Sequence, residues 1–362
     1  PDQGSAAQFE PSKVAKKVVA PNFVMLPYPY LSADVVRSCL QRNILELVRT
    51  LEDGLRRFSL GPQGGIVQPV RNTIALQNQN GMLLSMSAHS IDDGILATKV
   101  VTYLPENKPP LPTIQGNVLL FDAHTGSLKC MMDAVEMTAY RTAAASAVAT
   151  KYLATENPKI LAVFGSGTQA KSHIQVLSTM FDFQEIRIWN HREESALSLV
   201  GELMTSHEIR TRFVASAAEA ARDADVIVTA TSSPKPVLQA DWLKEAAHVN
   251  GACTHICWCG NYEKTRIGVV AAVGAPRLDW QELSSDLMLK SVVYVDSVEG
   301  ALSESGDIVQ SRARIYAEIG EVVLGTKENH RNEMTVFKSL GMAIEDALAA
   351  ELVYRHAVTE KK

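Results

Sequence analysis

KILAVF–GSGTQA, running from Lys159 to Ala170, is the stretch that decides the fold. Six mostly apolar residues end abruptly in glycine, which predicts a buried strand over 159–164. The glycine turn reads G-x-G-x-x-A and opens a helical pattern over 170–180. With a strand before it and a helix after it, this motif has the context that a dinucleotide-binding turn requires. Gly165 permits the tight turn, Gly167 lets backbone approach a pyrophosphate, and Ala170 lets helix and strand pack closely. The helix N-terminus offers unpaired N–H groups to phosphates. Gly165, Ser166, Gly167, Thr168, Gln169 and Ala170 are therefore candidate cofactor-binding residues.

About 20 residues past the motif, the next strand ends in Trp189-Asn190-His191-Arg192. An NAD site carries Asp or Glu there, to bond the ribose hydroxyls. Asn190 is neutral and Arg192 can pair with a 2′-phosphate, so NADPH is expected in preference to NADH. His191 either joins that pairing or is an exposed structural histidine. Further on, TATSS (229–233) ends another strand. The hydroxyls of Thr229 and Thr231 either meet the nicotinamide half of the cofactor or belong to a polar turn before Pro234.

Outward from this motif, strands are predicted at 185–189, 212–214, 226–229 and 292–296. Helical segments that include 195–204 and 217–223 separate them, the alternation of a parallel sheet. Upstream the texture differs. Ser32 is an expected N-cap for a helix through Val35, Val36 and Leu40, and Leu45, Val48, Leu51, Leu55 and Phe58 recur at helical spacing over 44–58. GPQGG (61–65) is a turn, followed by strand-like runs at 73–76, 81–86, 98–103 and 117–122. Near the end, Ile344, Leu348 and Leu352 form a helical stripe. The expected organisation is an inserted nucleotide domain over 144–325 and a discontinuous domain made of 24–143 and 326–362. Residues 1–23 read as a disordered leader.

Composition narrows the function. A chain of 362 residues can bury two cores, and 46% hydrophobic with 21% charged residues is an ordinary globular balance. The net charge of −5 gives no support to a nucleic-acid partner. No apolar run reaches the length of a transmembrane helix, so no membrane is expected. The 5 cysteines are too few and too unevenly placed for a disulfide framework, which fits a cytoplasmic setting.

Dispersed segments carry a more specific signal: QPVR (68–71), ATKVVT (97–102), TAYRTAAASAVATKYL (138–153), GSGTQA, IRIWN, SVEGALSESGDI (297–308) and VFKSLGMAIEDALAA (336–350). In order and over about residues 29–357, they resemble the ornithine cyclodeaminase/mu-crystallin family. The IWN strand end and the VFKSLGMA segment look most like its mu-crystallin branch. The resemblance implies an α/β fold: a Rossmann-type NAD(P)-binding domain plus a discontinuous α+β dimerisation/substrate domain, assembled as a homodimer. It also implies NADPH-dependent reduction of cyclic ketimines, small imino acids such as piperideine-2-carboxylate and sulfur-containing analogues. Iodothyronine binding is a further property of that branch.

The chemistry sets its own demands. A cyclic imino acid needs its carboxylate held, its imine nitrogen protonated and one face presented to a hydride donor. Arginine suits the carboxylate, since it offers two parallel donors and keeps its charge. By resemblance, Arg71, Lys99, Arg141 and Arg277 bind substrate, with Lys99 and Arg141 as the catalytic pair and Lys99 able to relay a proton. Gly341 matches a cofactor loop. Glu304 and Asp307 either tune the nicotinamide end or cap helices.

Two features depart from the family pattern. Ala272-Val273-Gly274-Ala275 is followed by Pro276, where cyclodeaminases carry an aspartate, which speaks against ornithine cyclodeamination. The alternatives that remain are an iodothyronine-binding protein with weak catalysis and an NAD-linked alanine dehydrogenase. Residues 251–271 form an atypical insert that includes Cys253, His255, Cys257, Trp258 and Cys259. Their spacing matches no common zinc site, so no metal is expected, and an alternative exon or translated intron explains the segment better. In that reading, 267–273 replaces the displaced strand.

Overall fold

The computed structural model describes residues 28–206, 210–231, 233–252, 278 and 280–359. The expected leader, most of the insert with its cysteines, and Arg277 lie outside the described residues. So does the expected replacement strand.

The first sheet comprises β1 (Tyr30–Leu31), β2 (Ile66–Val67), β3 (Asn72–Leu76), β4 (Gly81–Ser90), β5 (Ile95–Tyr103), β6 (Ile114–Asp122) and β7 (Leu128–Asp133). Its order is β1-β7-β6-β5-β4-β2, with β3 also on β4. All pairs are antiparallel except β1 with β7. Buried and half-buried residues alternate along β4 and β5, so one face lies on the core.

The second sheet comprises β8 (Ile160–Phe164), β9 (Glu185–Trp189), β10 (Arg212–Phe213), β11 (Val226–Thr229), β12 (His248–Ala252), β13 (Val292–Val295), β14 (Ile315–Glu318) and β15 (Thr335–Ser339). Every pairing is parallel, in the order β10-β9-β8-β11-β12-β15-β13-β14. Chain direction across the sheet reverses between β8 and β11, the switch point where a Rossmann sheet opens its ligand crevice. The glycine turn at 165 sits there.

Helices cover both sheets: α1 (Ala33–Arg42), α2 (Ile44–Phe58), α3 (Ala134–Leu153), α4 (Thr168–Met180), α5 (Glu193–Ser206), α6 (Ala217–Ala221), α7 (Ser285–Lys290), α8 (Val298–Glu304), α9 (Gly306–Ser311), α10 (Ile319–Val323) and α11 (Ala343–Tyr354). Among the described residues, no helix is long and apolar enough to cross a membrane.

Two placements differ from the sequence reading. The expected boundary between 143 and 144 falls inside α3, an unbroken helix that touches β6 of one sheet and β12 and β15 of the other. Nearly all of α3 is buried, so its alanine-rich sequence shows no apolar stripe to mark it as a helix. Asp133 caps its first turn by accepting from the Glu136 N–H at 2.9 Å. The second difference is β15. It belongs to the tail beyond 326, yet it lies inside the parallel sheet between β12 and β13. Its five residues are buried on both faces and show no alternation to distinguish them from a loop-to-helix passage.

The position of β15 is testable through Phe337, which is fully buried. Phe337→Ala should lower the free energy of unfolding by about 3–5 kcal/mol in urea titration, because the surrounding strands cannot collapse onto the void. A loss under about 1 kcal/mol would place Phe337 outside a packed core.

Candidate active site

The turn after β8 is built for close approach. Gly165 adopts φ +114, and a Cβ there would fall on the carbonyl oxygen of Ala230, which follows β11. Its N–H donates to Trp189 O at 2.8 Å, tying the turn to the end of β9. Gly167 precedes α4 with open space where a side chain would stand, and no side chain caps the helix. The first-turn N–H groups therefore face outward as an anion-binding terminus. Ala170 is fully buried against the sheet, and Gln169 is also buried. Its carbonyl lies 2.8 Å from His173 Nδ1. Asn190 Nδ2 donates to Ser166 Oγ at 2.7 Å, joining the two strand ends. His191 and Arg192 are exposed just before α5, and no carboxylate occupies the strand-end position. A cleft of about 550 Å³ opens beside Ser166, Gly167 and Thr168. These features fit a phosphate-bearing dinucleotide.

Thr229 and Thr231 are otherwise engaged. Both hydroxyls point to the buried carboxylate of Glu282, Thr229 Oγ1 at 3.0 Å and Thr231 Oγ1 at 2.6 Å.

A second cluster gathers charges from distant parts of the chain. Arg71 follows β2, Lys99 lies within β5, and Arg141 lies within α3; all three side chains are buried. Arg71 Nε pairs with Glu304 Oε1 at 3.0 Å, and its Nη2 donates to the carbonyls of Leu340 and Gly341. Lys99 Nζ pairs with Asp346 Oδ2 at 2.6 Å. Arg141 Nη1 meets Glu345 Oε2 at 2.7 Å, while its Nε meets Asp346 Oδ1 at 3.2 Å. Glu345 and Asp346 lie in the first turn of α11, whose other residues are apolar except for Glu351 and Tyr354. Asp296, at the end of β13, accepts the N–H groups of Leu340 and Gly341, each at 2.6 Å. Gly341 has φ +82, and a Cβ there would collide with the Arg141 guanidinium. Of the four cations expected from sequence, the three within the described residues are thus brought together, and Gly341 lies against one of them. Glu304 serves Arg71, whereas Asp307 pairs with Lys338.

Burial sets the electrostatics. Lys99 is pushed down to about 8 by desolvation, against the pull of Asp346. Glu345 is pushed up to about 7 by burial, opposed by Arg141. Burial works against the Arg141 charge, but Asp346, Glu345 and Asp296 hold it above the ordinary value. Arg71 Nη1 is buried and has no hydrogen-bond partner among the described residues. Arg71 lines a cavity of about 50 Å³ together with Met86, Glu304, Gly341 and Met342. A guanidinium with one edge uncommitted beside a small cavity is suited to a carboxylate.

Sequence reasoning missed Asp296, Glu345 and Asp346. The signal was present in one form: two adjacent acids in the first turn of a helix whose other residues are almost all apolar.

The profile of the ornithine cyclodeaminase/mu-crystallin family matches residues 32–257 and 266–361. The chain belongs to this family. The break in the match lies within the 251–271 segment. Ketimine reductase mu-crystallin of Rattus norvegicus is 42% identical over 326 residues, covering 90% of this chain and 96% of the relative. A Delta(1)-pyrroline-2-carboxylate reductase of Bacillus cereus is 30% identical, covering 90% and 97%. Among solved structures, the Thermococcus litoralis Delta(1)-pyrroline-2-carboxylate reductase in complex with NADH and L-proline superposes with a TM-score of 0.80. It is 32% identical, with 92% of this chain and 98% of that chain covered. An archaeal alanine dehydrogenase dimer with bound NAD gives a TM-score of 0.78 at 29% identity, covering 92% and 97%. The family's α/β fold with a Rossmann-type domain, expected from the sequence segments, is the fold found.

The raised Glu345 pKa has a stability consequence. The folded state holds this proton more tightly than the unfolded chain, so the contribution is complete below the ordinary carboxylate range and lost as pH rises through about 7. In urea titrations from acid to neutral pH, wild type should therefore lose stability relative to Glu345→Gln. A constant difference between the two proteins would show that Glu345 titrates normally.

Proposed function

We propose that this chain uses NADPH to reduce the C=N bond of small cyclic ketimine carboxylates, such as piperideine-2-carboxylate and its sulfur-containing analogues. The convergence of Arg71, Lys99 and Arg141 in one buried cluster carries the reading, since it supplies donors for a carboxylate where water is excluded. Relatives named for ketimine and pyrroline-carboxylate reduction support it. Bound nicotinamide supplies the hydride.

The protein's own residues do the rest. Arg71 presents its uncommitted Nη1 to the substrate carboxylate, with Arg141 behind it, and fixes the imine carbon relative to the crevice. Lys99, charged below about pH 8, stabilises the same carboxylate and relays a proton toward the imine nitrogen. Asp346 and Glu345 orient Lys99 and Arg141. Asn190, Arg192 and the absence of a strand-end acid favour the 2′-phosphate of NADPH. The reading includes a homodimer, as in the archaeal alanine dehydrogenase neighbour. Half-buried Leu96, Val100, Leu119 and Phe121 on the outer side of β5 and β6 suit contact with a second copy.

Oxidation of NADPH by purified protein with piperideine-2-carboxylate tests the proposal. Arg192→Ala should raise KM for NADPH about tenfold, the weight of a charge-assisted contact, and leave KM for NADH unchanged. Iodothyronine binding without turnover would replace the enzyme reading by that of a binding protein.

The pH profile makes a separate prediction. Activity needs Lys99 charged, so kcat/KM should be full on the acid side of about 8 and fall as pH rises through it. Lys99→Arg, which keeps its charge but gives up no proton, should lower kcat and move this limb in the remaining activity to higher pH. An alkaline limb unmoved by the substitution would assign the titration to another group.

A further inference from the structure

The end of β11 forms one wall of the crevice, and its carbonyl at Ala230 lies on the Gly165 turn. The Ala230 N–H still donates to Phe164 O on β8 at 2.8 Å; a chain of buried groups holds the residues on either side of it. Lys338 on β15 pairs with Asp307 Oδ2 at 2.6 Å, and both side chains are fully buried. The other oxygen, Asp307 Oδ1, accepts the N–H groups of Glu282 and Leu283 at 2.7 and 3.0 Å. Glu282 is 2% exposed. Its Oε1 accepts both the N–H and the hydroxyl of Thr231 at 2.6 Å, and its Oε2 accepts from Thr229 Oγ1 at 3.0 Å.

We infer that Lys338, Asp307 and Glu282 are positioning residues for the nicotinamide cofactor, acting through Thr229 and Thr231 on the wall that faces the glycine turn. This rests on the reading of a nicotinamide cofactor at Gly165. The physical case is one of geometry. A strand end stops forming ladder bonds at the point where it must face a ligand, so its backbone needs another partner to stay in place. Glu282 accepts one backbone N–H, that of Thr231, and two hydroxyls, those of Thr231 and Thr229, and Asp307 fixes the segment that carries Glu282. Lys338 supplies a countercharge to Asp307 where both side chains are shut off from solvent. A wall held rigid before binding loses less freedom when ligand arrives. Both threonine hydroxyls turn toward Glu282, so their part in cofactor binding is to fix backbone.

The test uses the full chain and NADPH itself, titrated by fluorescence, with Glu282→Gln, Thr231→Val and the double variant. Gln offers one acceptor where Glu offers two, and Val keeps the shape of Thr without its hydroxyl. Each single variant should weaken NADPH binding about tenfold, the cost of leaving a buried polar group without its partner. The double variant should be no weaker than the worse single one, because both changes break the same link. KM for NADPH should rise with the Kd, while KM for the imine stays within about twofold; a general loss of packing would not separate the two. Thr231→Val decides alone if Glu282→Gln does not fold. Wild type that takes up NADPH beside variants that bind equally well, or effects that simply add, would overturn the positioning role and leave the proposed function standing. Wild type that takes up no NADPH would overturn both.

Discussion

Three cations and four carboxylates share one interior. Arg71, Lys99 and Arg141 face Asp296, Glu304, Glu345 and Asp346, and each of these side chains is nearly or wholly removed from water. Isolated charges in such a place carry a desolvation penalty of several kcal/mol each, so none could be kept without the others. The partners come from far apart: Arg141 and Glu345 are 204 residues apart in sequence. The cluster therefore forms only when β5, α3, α8 and α11 are already docked. Its arrangement leaves one guanidinium edge, at Arg71 Nη1, unmatched among the described residues.

The charge cluster and the nucleotide sheet are linked through one loop. After β15, the backbone of Leu340 and Gly341 donates to Asp296 and accepts from Arg71, while the missing side chain of Gly341 makes room for Arg141. The strand that feeds this loop lies inside the parallel sheet and carries Lys338, which pairs with Asp307. Residues 335–346 thus span both regions, holding the carboxylate anchor on one side and the crevice wall on the other. That is a physical reason for a late-sequence strand to sit mid-sheet: it gives the substrate cluster a fixed distance from the switch point.

How much of this was legible beforehand follows from the range of the interactions. The glycine turn, the strands around it and α2 are local patterns, and the sequence displays them. The three cations were found through motifs carried over from the family, since spacing alone says nothing about Lys99 and Arg141 meeting. Helix α3 and strand β15 were hidden by burial on most or all sides, which erases the period that marks an element as helix or strand. The acids of the cluster stayed out of view for another reason. A carboxylate in the first turn of a helix is ordinary, and only the tertiary fold shows that Glu345 and Asp346 have no water to face. Thr229 and Thr231 illustrate the converse: hydroxyls at a strand end invite a ligand role, but Glu282, about 50 residues away, engages them first.

The decisive measurement is a crystal structure with NADP+ and pipecolate, the cyclic amino acid product. The product carboxylate should lie within hydrogen-bond distance of Arg71 and Arg141, beside Lys99, with the ring carbon facing the crevice at the Gly165 turn. A product bound elsewhere, with those three side chains touching only their own carboxylates, would contradict it.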